Sequence, residues 1–291
     1  MERNYNKPAL NITDLLGLIR SKQIVINDPE KAGFYLRTVS YHRLSPYLES
    51  ILKNHSTAYH PNFDKAWELY CFDRELRLLI NDAIERIEVA FRTSLSETMS
   101  CQYSPYWFLE KNIFKDANRY TGFINQIDVA CQDKHNSPIQ EYYRHYNDPK
   151  YPPSWILFEC LSFGVCISAF CNIKNLKDRK AICKIFEEHP TTMQSWLYAI
   201  RYMRNLCAHH ARVWNRWFVV SPALSFMLGD NFNKQNTCYA HLIILNKLLE
   251  KVSPESKWKA HLKSLLEKHK TLPIYEIGFV KDWQNDNFWC N

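Results

Sequence analysis

The chain has 291 residues, 46% of them hydrophobic and 23% charged, with a net charge of +7 and an isoelectric point near 8.8. These are ordinary proportions for a globular protein, and the length can bury a sizeable core in one large domain or two small ones. Only 6 glycines argue against a β-sandwich or a glycine-rich phosphate loop, and the positive charge fits a polyanionic partner or a basic but inert surface equally well.

The 10 cysteines include no C-x-x-C pair, which disfavours a zinc ribbon or a thioredoxin-like site. Most fall at apolar positions of helical patterns, where a free thiol acts as a small hydrophobe. The polar start Met1-Glu2-Arg3-Asn4-Tyr5 lacks a secretory pattern, so free thiols in a reducing cytoplasm are expected. The longest apolar stretch, Trp155 to Phe170, is too short for a membrane span and carries Glu159, Ser162 and Ser168.

Residues 1–60 read as a small N-terminal helical module. Asn11-Ile12-Thr13-Asp14 opens one helix and Asn27-Asp28-Pro29-Glu30 a second, with Pro29 in a first-turn position. Pro46, within Tyr41-His42-Arg43-Leu44-Ser45-Pro46-Tyr47, is expected to mark a break. A core over 61–220 starts with a long helix from about Asp64 to Met99, in which Leu69, Phe72, Leu76, Leu79, Ala83, Ile87 and Phe91 recur at threes and fours. Its other face alternates Asp73, Asp82, Glu85 and Glu88 with Arg74, Arg77, Arg86 and Arg92, which reads as a salt-bridged surface rather than a metal cluster. Residues 100–153 are less regular and end in the loop Asn147-Asp148-Pro149-Lys150-Tyr151-Pro152-Pro153. Further helices are expected over 154–172, 177–187 and 191–217. An extension over 221–291 carries Gly229-Asp230-Asn231, helices over 237–251 and 255–269, and an irregular arm with Trp283, Phe288 and Trp289 packing back on the core. No strand is required, so the fold class is all-α.

The chemistry concentrates in Arg201-Tyr202-Met203-Arg204-Asn205-Leu206-Cys207-Ala208-His209-His210-Ala211-Arg212-Val213-Trp214-Asn215-Arg216. If this run is one helix, Arg201, Arg204, Asn205, His209, Arg212, Asn215 and Arg216 share an arc of about 140°. Tyr202, Met203, Leu206, Cys207, Ala211, Trp214 and Trp217 occupy the opposite, core-facing arc, and His210 falls among them as a packing histidine. A solvated face is the bland reading of such an arc. The chemical reading is RNA cleavage. A neutral imidazole can take the proton of a ribose 2′-OH or protonate the leaving 5′-oxygen, arginines can clamp the phosphate, and Asn205 can orient either. One histidine does half of that acid–base work, so a symmetric dimer would supply the rest. DNA lacks the 2′-OH and is not an expected substrate. His42 and Arg43, beside Tyr41 and Tyr47, can contact RNA by stacking and charge, or can be aromatic packing with a surface arginine. No H-E-x-x-H, G-x-S-x-G or Walker loop occurs, and no metal or cofactor is expected.

Arg204-Asn205-Leu206-Cys207-Ala208-His209, followed by His210, Arg212 and Trp214-Asn215-Arg216, resembles the signature of Abi-like abortive-infection proteins of the AbiD/AbiF type, within the HEPN superfamily. The resemblance extends over roughly residues 7–220, through Tyr41–Tyr47, Phe72–Arg77, Ile84–Glu88 with Arg92, Pro152–Trp155, Leu161–Gly164 and Ser195–Leu197. It implies an all-α HEPN-type helical bundle with a long spanning helix and an N-terminal helical extension. It implies a bacterial cytoplasmic protein of phage defence, a metal-independent endoribonuclease with Arg204, Asn205 and His209 as catalytic set at a homodimer interface. Arg201, Arg212, Asn215, Arg216, His42 and Arg43 would bind RNA. Members of the family can associate with a small noncoding RNA, so the alternative is a noncatalytic protein that holds such an RNA on its basic face. A helical interaction protein without an RNA role is the third reading.

Overall fold

A computed structural model describes residues 8–53, 61–225, 235–285 and Trp289. The fold is all-α: twelve α-helices joined by short 3-10 turns, with two isolated bridges and no strand among the described residues. Gly229-Asp230-Asn231 and Phe288 lie outside the described residues. No helix among them is long and apolar enough to cross a membrane. The chain forms two compact units, residues 1–76 with 265–272, and residues 77–264 with 273–291.

In the first unit, α1 (Ile12–Ser21) starts where the Asn11 side chain accepts the Asp14 N–H at 2.9 Å, and α2 (Pro29–Val39) where Asp28 accepts from Lys31 at 2.9 Å. α3 (Tyr41–Leu52) runs straight through Pro46, where a break was expected. Pro46 cannot donate to the His42 carbonyl four residues back, and the Ser45 hydroxyl donates there instead at 3.0 Å. The first turns of α4 (Phe63–Gln102) complete this unit, tied to α3 by Tyr47 Oη donating to the buried Asp73 at 2.5 Å.

The 40 residues of α4 make a helix about 60 Å long. Leu69, Phe72, Leu76, Ile80, Ala83, Ile87, Phe91, Leu95 and Met99 form its buried stripe, with Ile80 in the place expected of Leu79. Asp82 pairs with Arg86 and Glu88 with Arg92, but Asp73, Arg77 and Arg92 are buried, so the charged face is only in part the surface the sequence suggests.

The second unit continues with α5 (Ala117–Gln132) and α6 (Ser137–His145), in a region that reads as irregular. α5 buries only Phe123 and Ile127, too thin a stripe to show in the sequence, although Asp116 caps it on two N–H groups. The helix expected over 154–172 is two, α7 (Ser154–Cys160) and α8 (Phe163–Asn172), because Ser162 leaves the helix and caps α8 by accepting from Val165. α9 (Leu176–Cys183), α10 (Pro190–Ala208), α11 (Cys238–Val252) and α12 (Trp258–Lys268) follow, the last turn of α12 from Leu265 belonging to the first unit. α10 packs on α8, α9 and α11. Trp283 and Trp289 close the unit against Phe279, with Trp289 donating to Tyr239 at 3.0 Å.

Candidate functional site

Helix α10 carries the motif. Its inner face buries Met193, Trp196, Leu197, Ile200, Met203 and Cys207, which leaves Arg201, Arg204 and Asn205 exposed on the other side. The helix stops at Ala208, nine residues short of the expected end at 217. His209 is the C-cap and donates its N–H to the Asn205 carbonyl at 3.0 Å. His210 takes φ 55° and donates to the Cys207 carbonyl at 3.0 Å, while Ala211 donates to Leu206 at 2.8 Å. These two bonds are a Schellman motif, whose left-handed position usually belongs to glycine; a histidine there costs about 1 kcal/mol or more.

The early end changes the arc. Arg201, Arg204, Asn205 and His209 remain on the last two turns of α10 and its cap, all exposed. Asn215, at φ 43°, turns its amide onto Glu276 Oε2 at 3.0 Å, the oxygen that also accepts the Trp214 indole N–H at 3.0 Å. Arg212 and Arg216 are half-buried in the same non-helical run, where Arg216 donates to the Arg212 carbonyl at 3.4 Å. Trp217, expected to face the core, is 73% exposed, and His210, expected to pack, is exposed too. Both corrections have one cause: a helical wheel has no meaning past Ala208. His42 and Arg43 sit exposed in the first turn of α3, in the other unit.

A cleft of about 440 Å³ opens beside the motif. Ser195, Tyr198, Arg201, Tyr202 and Asn205 line it from one face of α10, and Val220 and Ser221 line it from the segment that returns along the helix. That segment is held firmly. Trp196 donates to the Ala223 carbonyl at 2.9 Å, and Ala223 donates back to Ser195 Oγ at 2.9 Å. Phe218 and Asn236 exchange two hydrogen bonds, at 3.0 and 2.7 Å. His241, buried on α11, sets one ring nitrogen 2.9 Å from the Thr237 carbonyl and the other 3.1 Å from the Val220 carbonyl. Burial pushes the His241 pKa down against the pull of those carbonyls, and a neutral ring donates to only one of them.

Gly164, in the first turn of α8, positions Arg201. A Cβ built there would lie 2.8 Å from both Cζ and Nε of Arg201, so the guanidinium rests directly on the glycine backbone. Among the described residues no carboxylate pairs with Arg201, Arg204 or Arg212. Nor does any group of three His, Cys, Asp or Glu among them suit a metal ion.

Sequence reasoning missed Ser195, Tyr198, Tyr202, Val220, Ser221 and Gly164 as parts of this surface. Extending the three-and-four spacing back from Asn205 would have found Tyr198 and Ser195; the other wall depends on tertiary contacts. The family described as Abi-like protein matches residues 34–215, a span that contains the whole of α10 and the run after it as far as Asn215. No curated protein and no solved structure matches the chain.

Proposed function

Since the chain belongs to the Abi-like protein family, we propose that it serves abortive-infection defence against phage by cutting RNA, as a HEPN-type endoribonuclease of the AbiD/AbiF kind. The observation that carries this reading is the exposed set Arg204, Asn205 and His209, gathered on the last turn and cap of α10 with Arg201 one turn back. An amide about a turn from two cations that lack carboxylate partners, with an imidazole one turn further on, suits an anion that must also exchange a proton. Arg201 strengthens the argument, because its guanidinium lies against the N-terminal turn of α8, where the helix dipole is positive. Two positive features in contact favour a phosphate as their counter-charge.

The chemistry follows from these groups. His209 takes the proton of a ribose 2′-OH. The freed oxygen attacks the adjacent phosphorus, an O2′–P bond forms, and the P–O5′ bond breaks to leave a 2′,3′-cyclic phosphate. The departing 5′-oxygen needs a proton, which an identical site in a second copy of the chain supplies. Arg204 and Arg201 hold the charge that builds on the phosphate oxygens, and Asn205 orients the imidazole or a phosphate oxygen.

Replacing His209 by Ala separates this proposal from a noncatalytic RNA-binding role. His209 is exposed and contributes its backbone N–H to the helix end, so the variant should fold and melt as the parent does. RNA cleavage and growth arrest on expression should both fall by at least about 100-fold, the range of a lost general base. Undiminished cleavage would sink the assignment. Growth arrest that persists while no cleavage is seen in either protein would favour the binding role.

A further inference from the structure

We propose that the cleft beside α10 is a base-binding subsite, which takes the nucleobase of one unpaired nucleotide next to the phosphate held by Arg201 and Arg204. It rests on RNA being what the motif acts on.

Shape and chemistry support the assignment together. The volume, about 440 Å³, falls in the range of small-ligand sites. Two half-buried tyrosines, Tyr198 and Tyr202, line the cleft from successive turns of one helix face. Aromatic rings at such sites accept any base by its face. Asn205 adds an amide that can both donate to and accept from a base edge, and Ser195 and Ser221 add hydroxyls. No carboxylate is among the lining residues, so a neighbouring phosphate meets no repulsion there.

The cleft is preformed. Tyr198 faces the Cys171 thiol, and Tyr202 stands edge-on to Phe218 with centroids 6.1 Å apart. The Trp196, Ala223 and His241 contacts hold the facing segment in place. Little ordering cost therefore remains for the ligand to meet. Its position gives it meaning for the reaction. Asn205 belongs to both cleft and motif, and His209 follows one turn later, roughly 6 Å along the helix axis. A base seated between α10 and the return segment has left its stack, so the site selects single strands or loops over continuous duplex.

The test uses the full chain and a single-stranded 2′-O-methyl RNA, which cannot undergo 2′-OH attack, with one 4-thiouridine for photocrosslinking. Tyr198→Leu and Tyr202→Leu keep bulk but remove the ring face, whereas Tyr198→Phe and Tyr202→Phe keep it. Each leucine variant should bind the strand about ten-fold more weakly, each phenylalanine variant within about two-fold of the parent, and binding of a blunt duplex of equal length should not change. In the unaltered protein the crosslink should map to the peptide carrying Tyr198 and Tyr202. A crosslink that maps elsewhere, or leucine variants that bind as the parent does, would overturn the subsite while leaving the RNA reading intact. Absence of any salt-sensitive affinity for RNA would remove both.

Discussion

Gly164 sets two effects against each other that a single substitution can separate. Gly→Ala within a helix ordinarily stabilises by about 0.5–1 kcal/mol, because the unfolded chain loses freedom. Here the added methyl would stand 2.8 Å from Arg201 Cζ, too close for both to stay. The obstructing atoms belong to the end of a long, exposed side chain, so the strain is relieved by moving Arg201 and not by moving α8. Gly164→Ala should therefore melt at the same temperature as the parent or a few degrees higher, yet bind single-stranded RNA less well, by about three-fold or more, the weight of one ordinary hydrogen bond. Thermal denaturation and RNA titration on the same preparation check it. A variant that loses stability and affinity together would show that Gly164 serves packing and not the placement of Arg201. No residue-by-residue reading of the sequence could have found this, since Gly164 and Arg201 meet only when α8 and α10 pack.

At the level of elements, the junction between α7 and α8 depends on one buried cation on α4. Arg92 donates to the Phe158 and Leu161 carbonyls, the latter at 2.5 Å, and to Cys166 Sγ at 3.7 Å, while Glu88 pairs with it from the preceding turn. The two carbonyls lie at the C-terminal end of α7, where a helix has no internal donors left, so Arg92 acts as its cap from another element. Arg92→Leu should cost about 3–5 kcal/mol, because it leaves the Phe158 carbonyl only the long Cys166 Sγ contact, takes the side-chain donor from Leu161 and leaves Glu88 without its partner at 15% exposure. Urea unfolding measures it, and a loss below about 1 kcal/mol would mean that water or a shifted side chain replaces the guanidinium. The sequence shows the Glu88–Arg92 spacing and presents it as a surface pair; burial and the carbonyls are invisible to it. Helix ends divide in the same way. Asn11, Asp28, Asp116 and Ser162 are local caps that can be read directly, although the last two carry little weight without a strong apolar stripe behind them. α10 ends without glycine or proline, on a Schellman motif at His210, and the polar periodicity continues past it by coincidence. Arg204 and Asn205 stay together on this side of the correction because they precede the end, and His209 joins them as the residue that caps it. Arg212, Asn215 and Arg216 do not share the helical face the sequence assigned them.

For the whole molecule, the net charge of +7 leaves open whether RNA would be held by diffuse attraction or by a few placed contacts. Salt dependence distinguishes the two. On a single strand each phosphate contact contributes about −0.7 to the slope of log affinity against log salt. If Arg201, Arg204 and Arg212 each meet a phosphate, the parent slope includes about −2 from these three, and replacing any one by Gln should flatten it by about 0.7. Lys111 and Lys134 are exposed cations remote in sequence from the motif, and replacing either by Gln should leave the slope as it is. Diffuse attraction predicts instead that every single-charge variant shifts affinity slightly and alike, with no position flattening the slope more than another. Anisotropy titrations of the 2′-O-methyl strand over a range of KCl concentrations decide this without any need for cleavage. They therefore test the phosphate clamp separately from the histidine: a flat response at Arg201 and Arg204 would remove the clamp even if His209→Ala abolished cutting. A response confined to the α10 arginines would place the strand along the cleft from which the proposed base contact is made.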